Sequence, residues 1–338
     1  MKIGRPLAQL FIVLFLVQSI VGIANSEITQ KSQTTVKNIT ELSAALKYAQ
    51  AENSSVSTII YLMPGNYTIS DTIVINVSNI TVIAEPGAKI ILADHVNKPV
   101  IAIGSQEPTP TYTVENIYIS GIEIDGNKNN QDSEFDLDKN WIRNNAIDVR
   151  SVKRLTLDNV ICKNARSGGL VISWASSDIH VNNSIFANNY FDGVAYYDSQ
   201  RVYTNSCSML NNNNAGISLD NAFSDSIFAN CILDTNGDVG IFMRNSSKIR
   251  FNGCTVQNSK SYAAFLGNDD NAKGVSDILF SGCHVLDNYG GILVSTTEKE
   301  SGYICVIGSS FRGNEKNGRT TLDGPDSILK QTGNIIIK

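Results

Sequence analysis

Between residues 154 and 317 one short sentence is written seven times in different words. Its lines are Leu155-Thr-Leu-Asp-Asn-Val160, Ile179-His-Val-Asn-Asn-Ser184, Val202-Tyr-Thr-Asn-Ser-Cys207, Ser226-Ile-Phe-Ala-Asn-Cys231, Ile249-Arg-Phe-Asn-Gly-Cys254, Ile278-Leu-Phe-Ser-Gly-Cys283 and Ile304-Cys-Val-Ile-Gly-Ser309. The last residues of successive lines lie 24, 23, 24, 23, 29 and 26 apart. Each line alternates apolar and polar side chains, breaks at an Asn/Ser/Gly pair and resumes. A second alternating strand follows, as in Gly169-Leu-Val-Ile, Gly193-Val-Ala-Tyr, Gly216-Ile-Ser-Leu, Gly240-Ile-Phe-Met and Gly291-Ile-Leu-Val. Period-two patterning at a spacing near two dozen residues is the signature of a solenoid.

One unit is too small to bury its own apolar face, so the units must stack and share a core. Equivalent residues then form ladders about 4.8 Å apart. One ladder reads Val160, Ser184, Cys207, Cys231, Cys254, Cys283, Ser309, a column of small side chains. The Asn-rich breaks suit sharp corners, because Asn tolerates the left-handed backbone region and bonds its own backbone. Leucine-rich horseshoes share the period but need a helical segment and a Leu-x-x-Leu-x-Leu frame, which this sequence lacks. The expected fold is all-β, a right-handed parallel β-helix.

Lys2 and Arg5, the apolar stretch from Leu7 to Val21 and Ala24-Asn25-Ser26 are expected to form a cleaved secretory signal over 1–26. Without its two bases, 25 of the 27 basic residues stand against 32 acidic ones. The resulting −7 is a poor general surface for nucleic acid or an anionic membrane. The chain is expected to be secreted, with no membrane association after cleavage. Residues 27–338 are expected to form one domain: a cap over about 35–55, coils over about 57–317 and a terminal part over 318–338.

Asn38-Ile-Thr-Glu-Leu-Ser-Ala-Ala-Leu-Lys-Tyr-Ala-Gln-Ala is the clear helix. Thr40 is expected to cap it, with Leu42, Ala45, Leu46 and Ala49 on one face. It is followed by Ile59-Ile-Tyr-Leu-Met-Pro-Gly-Asn-Tyr, then by Ile80-Thr-Val-Ile-Ala-Glu-Pro-Gly-Ala and Gly121-Ile-Glu-Ile-Asp-Gly-Asn. This succession resembles the opening of the pectin-lyase-like β-helix superfamily, and the Asn-rich units are similar to its generic β-helix repeats. Members include mannuronan C5-epimerase and polysaccharide lyase modules. The resemblance implies a polysaccharide partner and activity on uronate-type glycans. The Asp-Pro-His-Glu motif of the epimerases is missing, as are the Asn-Thr-Asp and Ser-His-Gly motifs of polygalacturonases. No catalytic residue therefore transfers by motif.

Cys162, Cys207, Cys231, Cys254, Cys283 and Cys305 are even in number, which invites disulfides in a secreted chain. Val and Ser replace Cys at other rungs of the ladder, so small buried thiols are expected. His95, His180 and His284 do not cluster; His180 and His284 are expected to point outward on the first strands of their units.

Between Ile122 and Val160 the spacing is 38, so that unit carries an extra loop of about 14 residues. Long loops on a rigid scaffold concentrate binding. Here Asp132, Glu134, Asp136 and Asp138 alternate and are candidate oxygen ligands for Ca²⁺, although no EF-hand frame is present: Leu137 stands where Gly is needed and Arg143 where the closing Glu is. A solvated acidic loop is the simpler alternative.

On the second strands an outward column reads Arg150, Ser173, Tyr197, Asp220, Arg244, Gly267, and the next reads Ser151, Trp174, Asp198, Asn221, Asn245, Asn268. Tyr197, Asp220, Arg244 and Asp198 are the candidate catalytic residues. Trp174, Arg150, Asp148, Tyr190, Trp141 and Arg143 are the candidate substrate contacts. Ordinary cross-strand pairing, such as an Asp220–Arg244 bridge, is the plain alternative. Lyase or epimerase chemistry needs a neutralised acid, a base and a proton donor. Arg244 or Arg150 would neutralise, and Tyr197, its acidity raised by a nearby cation, would carry the proton. Two other functions stay open: a glycoside hydrolase using two carboxylates, and a non-catalytic adhesin whose tyrosine, Trp174 and Trp141 stack on sugars.

Overall fold

Residues 30–52, 56–269, 271, 273–296 and 302–337 are described, in a computed structural model. The expected leader at 1–26 lies outside them. Among the described residues no helix is long and apolar enough to cross a membrane.

The chain winds as a right-handed parallel β-helix of about twelve turns. Each full coil holds three strands rather than two. A long strand such as Ser199–Asn205 turns into a three-residue strand, Ser208–Leu210, and then into a four-residue strand, Ile217–Asp220. Three parallel sheets result, with twelve long, eleven short and ten groove-side strands among the described residues. The short strand is the part of each sequence line that resumes after the Asn/Ser/Gly break. At three residues its alternation is too brief to be told from a turn.

Left-handed residues mark the corners. After the long strands these are Asn159, Asn183, Ser206, Asn230, Gly253, Gly282 and Gly308, with φ of 51–61°. Asn and Gly dominate because this region strains most other side chains. The small ladder from Val160 to Ser309 follows these corners and is buried throughout. All six cysteines are free thiols, five of them buried. Within the coils Phe228, Phe251 and Phe280 stack at 4.9 and 4.8 Å.

A buried amide ladder, absent from the sequence expectations, runs beside the second corner. Asn212 Nδ2 donates to Asn236 Oδ1 at 3.1 Å and Asn189 Nδ2 to Asn212 Oδ1 at 2.9 Å. It explains the glycines that open the groove-side strands. A side chain on Gly193 would meet Asn212 Nδ2 at 2.8 Å and the Gly216 carbonyl at 2.7 Å.

At the N-terminal end the helix spans Ile39–Ala51, and its cap is Asn38, not Thr40. Asn38 Oδ1 accepts from the Glu41 amide at 3.0 Å, while Glu41 Oε2 accepts from the Lys37 amide at 2.8 Å, a reciprocal capping arrangement. Leu42, Leu46 and Ala49 seal the first coil. The strand Gln30–Val36, which the sequence did not announce, pairs with Val56–Leu62 as an outermost rung. Winding continues past residue 317 with strands Leu322–Asp323, Leu329–Thr332 and Ile335–Ile337. His180 does point outward on a long strand, stacked at 5.0 Å on Tyr203. His284 instead opens a short strand and meets Ser310.

Candidate functional site

The groove-side sheet supplies a floor because its middle rungs carry small side chains outward. Val171, Ala195 and Ser218 are register neighbours. On one flank the long insertion rises over the preceding rung. It is pinned by Asn97, whose side chain accepts from the amides of Asp132 and Ser133 at 2.7 and 3.0 Å. Asn144 donates to the carbonyls of Ser133 and Phe135 at 2.7 and 3.1 Å, and Gln131, Asp136, Ile142 and Asn144 are buried. On the other flank Phe242 stacks on Phe265 at 5.7 Å. Between the flanks lie two adjoining depressions of about 420 and 460 Å³ that share Arg143, Asn145, Val171, Tyr197 and Asn221.

The column of Tyr197, Asp220 and Arg244 is present, with Tyr197 and Asp220 in register and Arg244 on the following rung. Its surroundings differ from the expectation. Asp220 is buried, and its Oδ2 accepts from Arg244 Nε at 3.0 Å and Nη2 at 2.6 Å, so the plain cross-strand pair does exist. Asp220 Oδ1 accepts from the Asn221 amide at 2.8 Å. The Tyr197 hydroxyl reaches back to Ser218 Oγ at 3.4 Å. Burial, with Asp192 nearby, drives its pKa well above the ordinary tyrosine value. This corrects the expectation of a tyrosine made more acidic: desolvation and the neighbouring carboxylates outweigh Arg143. Asp198 sits exposed at the corner, where its Oδ2 accepts from the Ala175 amide at 3.2 Å.

The candidate contacts divide. Trp174 and Trp141 are 39% and 44% exposed and line the same depression. Trp174 holds φ of 59°, a strained backbone for a bulky residue. Trp141 Nε1 donates to the Gln106 carbonyl at 3.1 Å. Asp148 and Arg150 do lie beneath the insertion, but they are 5% and 4% exposed, not open to solvent. Arg143 pairs with Glu134 at 3.2 Å and lies 5.0 Å from the ring of Phe191. Tyr190 does not line the groove; the Arg166 guanidinium lies 4.1 Å over its ring.

The alternating carboxylates of the insertion part company. Asp132 bonds His95 at 2.9 Å, Glu134 bonds Arg143, Asp136 accepts from the amides of Asp138 and Lys139, and Asp138 meets Lys98 at 3.3 Å. Each oxygen set is drawn to a separate partner, so the four do not converge on a cation. Among the described residues no three His, Cys, Asp or Glu side chains gather as a metal site.

Two buried carboxyls mark the groove more strongly than the expected column does. Asp192 is 1% exposed. Its Oδ1 accepts from Asn214 Nδ2 at 2.7 Å and the Ala215 amide at 3.0 Å, and Oδ2 has no hydrogen-bond partner. Burial pushes its pKa up to about 7. Asp148 Oδ1 accepts from Asn145 Nδ2 at 2.9 Å, Oδ2 again lacks a partner, and burial pushes the pKa up to about 6. The sequence alone gave Asp192 no catalytic or binding role. A signal existed: on the rungs either side of Asp192 the residues in register are Gly168 and Ala215. Phe135, Asn145, Phe191, Asp238 and Phe242, which also line the groove, carried no comparable signal.

Residues 120–275 match the family model described as right handed beta helix region. No curated protein matches the chain. Among solved structures the chain is similar to the ORF18 protein of Geobacillus virus E2, with a TM-score of 0.68 and 15% identity over 83% of this chain. That match spans 54% of the viral protein, so this chain corresponds to about half of its length. The Streptococcus pneumoniae surface protein and adhesin PfbA gives 0.67 and 14% identity over 86% of this chain and 84% of its own. An alginate lyase from a Paenibacillus species gives 0.58 and 13% identity, covering 91% and 99%. At such identities the likeness is one of fold.

Proposed function

We propose that the groove binds a glycan chain outside the cell and that Asp192 protonates a glycosidic oxygen there, making the protein a carbohydrate-active β-helix enzyme. The observation that carries this is the Asp192 carboxyl, with one oxygen free of partners and a pKa near 7. A carboxylic acid still protonated near neutral pH is what general acid catalysis requires. The flanks suit sugars: Trp141, Trp174 and Phe242 offer apolar faces, and Asn145, Ser218 and Asn221 offer hydrogen-bonding groups. The alginate lyase among the similar structures makes a glycan partner the natural first candidate. The leader expected at 1–26 supports the extracellular location.

The charge balance favours hydrolysis of a weakly charged chain over uronate lyase or epimerase chemistry. Asp148, Asp192, Asp198, Asp220 and Asp238 face Arg143, Arg150 and Arg244, and two of these arginines are engaged by Glu134 and Asp220. A polyuronate would meet little spare positive charge. Tyr197, its hydroxyl driven away from ionisation, makes a poor base. In hydrolysis Asp192 gives its proton to the leaving oxygen and the bond to the anomeric carbon breaks. Water then adds at that carbon and passes a proton to a carboxylate, for which Asp220, held by Arg244, is the candidate.

Non-catalytic adhesion is the second reading. It is favoured by the enclosure of both Asp192 and Asp220, which are 1% and 5% exposed. Incubation of the protein with neutral and anionic polysaccharides separates these readings. New reducing ends, lost in Asp192→Asn, support hydrolysis. Absorbance from unsaturated ends indicates a lyase, altered sugar composition without cleavage an epimerase, and binding without product an adhesin.

A further inference from the structure

Beneath Trp174 two buried, oppositely charged side chains line one depression without touching. Arg150 is 4% exposed; its Nη2 donates to the Pro108 carbonyl at 3.1 Å, and its Nη1 is buried without a partner. Asp148, 5% exposed, keeps Oδ2 without a partner two residues earlier on the same strand. Each side chain influences the other's charge, yet no ion pair closes between them. A buried donor and a buried acceptor left open side by side are costly. The arrangement is relieved by a group that accepts from one and donates to the other. A carboxylate cannot do this, because it would meet Asp148 as a second acceptor. A hydroxyl does both. Above the pair the indole of Trp174 lies 5.3 Å from the Arg150 guanidinium, and its backbone is held in the left-handed region. Trp141 closes the same depression.

We infer that Asp148 and Arg150 form a hydroxyl-recognition subsite for one sugar unit, with Trp174 and Trp141 against its apolar face. The subsite selects a neutral sugar over a uronate, and it rests on the glycan reading above. It stands apart from Asp192, which lines the adjoining depression, so it governs affinity rather than bond cleavage.

The test is binding of four hexasaccharides, of mannose, glucose, galacturonate and mannuronate, measured by calorimetry on the full chain and on Asp148→Asn and Arg150→Lys. Melting temperatures show that each variant is folded. The expected result is that a neutral hexamer binds at least 10-fold more tightly than either uronate. Each variant then loses at least 10-fold of that affinity. Parental affinity in both folded variants overturns the inference and leaves the groove reading intact, the pair then holding only a buried water. Tighter binding of a uronate, lost in Arg150→Lys, also overturns it. Binding of none of the four overturns the inference together with the groove reading.

Discussion

Among single residues, the buried carboxyls differ in protonation between the folded and unfolded chain. Asp192 titrates near 4 when unfolded and near 7 when folded. Below pH 4 both states are protonated and its burial costs nothing in charge. As pH rises through 4–7 only the unfolded state releases its proton, so stability falls, and the loss is complete above about 7. Each tenfold separation of the two dissociation constants is worth about 1.4 kcal/mol. Asp192→Asn is therefore expected to flatten this slope and to be about 2–4 kcal/mol more stable than the parent at pH 8, as read by urea unfolding at several pH values. An unchanged slope would mean that Asp192 is solvated. Activity has the same origin: if Asp192 is the acid, turnover falls as pH rises through about 7.

The Asp220–Arg244 pair gives a second residue-scale prediction. Sequence reasoning treats it as an exposed pair of little consequence, but Asp220 is buried. Asp220→Asn weakens two charge-assisted bonds and is expected to cost about 1–3 kcal/mol in thermal unfolding. A loss below 0.5 kcal/mol would return the pair to the surface. The column itself was legible from period-two alternation. Its burial was not, because the covering groups come from rungs about two dozen residues away and from the insertion.

Among the elements, the small ladder and the corner before it were read correctly, the short strand and the amide ladder were missed, and the insertion was read only in part. Cys231 is buried in the small column, where Ser184 and Ser309 are also accommodated. Cys231→Ser is expected to fold with a loss of about 1–2 kcal/mol, whereas Cys231→Asp buries an unpaired charge and is expected to unfold the chain. Circular dichroism at 25 °C distinguishes the two. Equal stability would mean that the inside–outside assignment is displaced by one residue. The insertion was legible as extra length between Ile122 and Val160, and such loops are often dispensable. This one buries Gln131, Asp136, Ile142 and Asn144, so its removal should destabilise rather than spare the fold. Asn144→Ala alone is expected to cost about 1–3 kcal/mol, from two hydrogen bonds lost in a buried setting. Composition showed an acidic stretch; only the bonds to His95, Arg143 and Lys98 disclose that its charges are spent on holding the loop in place.

At the scale of the whole molecule, a repeating chain makes its fold easy to read and its chemistry hard. The repeat forces stacking, and stacking forces ladders, so the parallel β-helix follows from the spacing together with period-two alternation. Function lies where the repeat is broken: an aspartate between Gly168 and Ala215, a tryptophan at a corner otherwise made of Asn, Asp and Ser, one overlong unit. Those breaks are visible in sequence, but which of them converge depends on winding. The winding brings the insertion, Trp174, Asp192 and Phe242 to one sheet and sends Tyr190 elsewhere. A crystal structure of the protein soaked with a hexasaccharide that it binds would locate the sugar on the solenoid. The account predicts sugar rings over Val171, Ala195 and Ser218, between Trp174 and Phe242, with a glycosidic oxygen within hydrogen-bond reach of Asp192. Sugar density confined to the long-strand sheet or to the solenoid ends, with the groove empty, would contradict it.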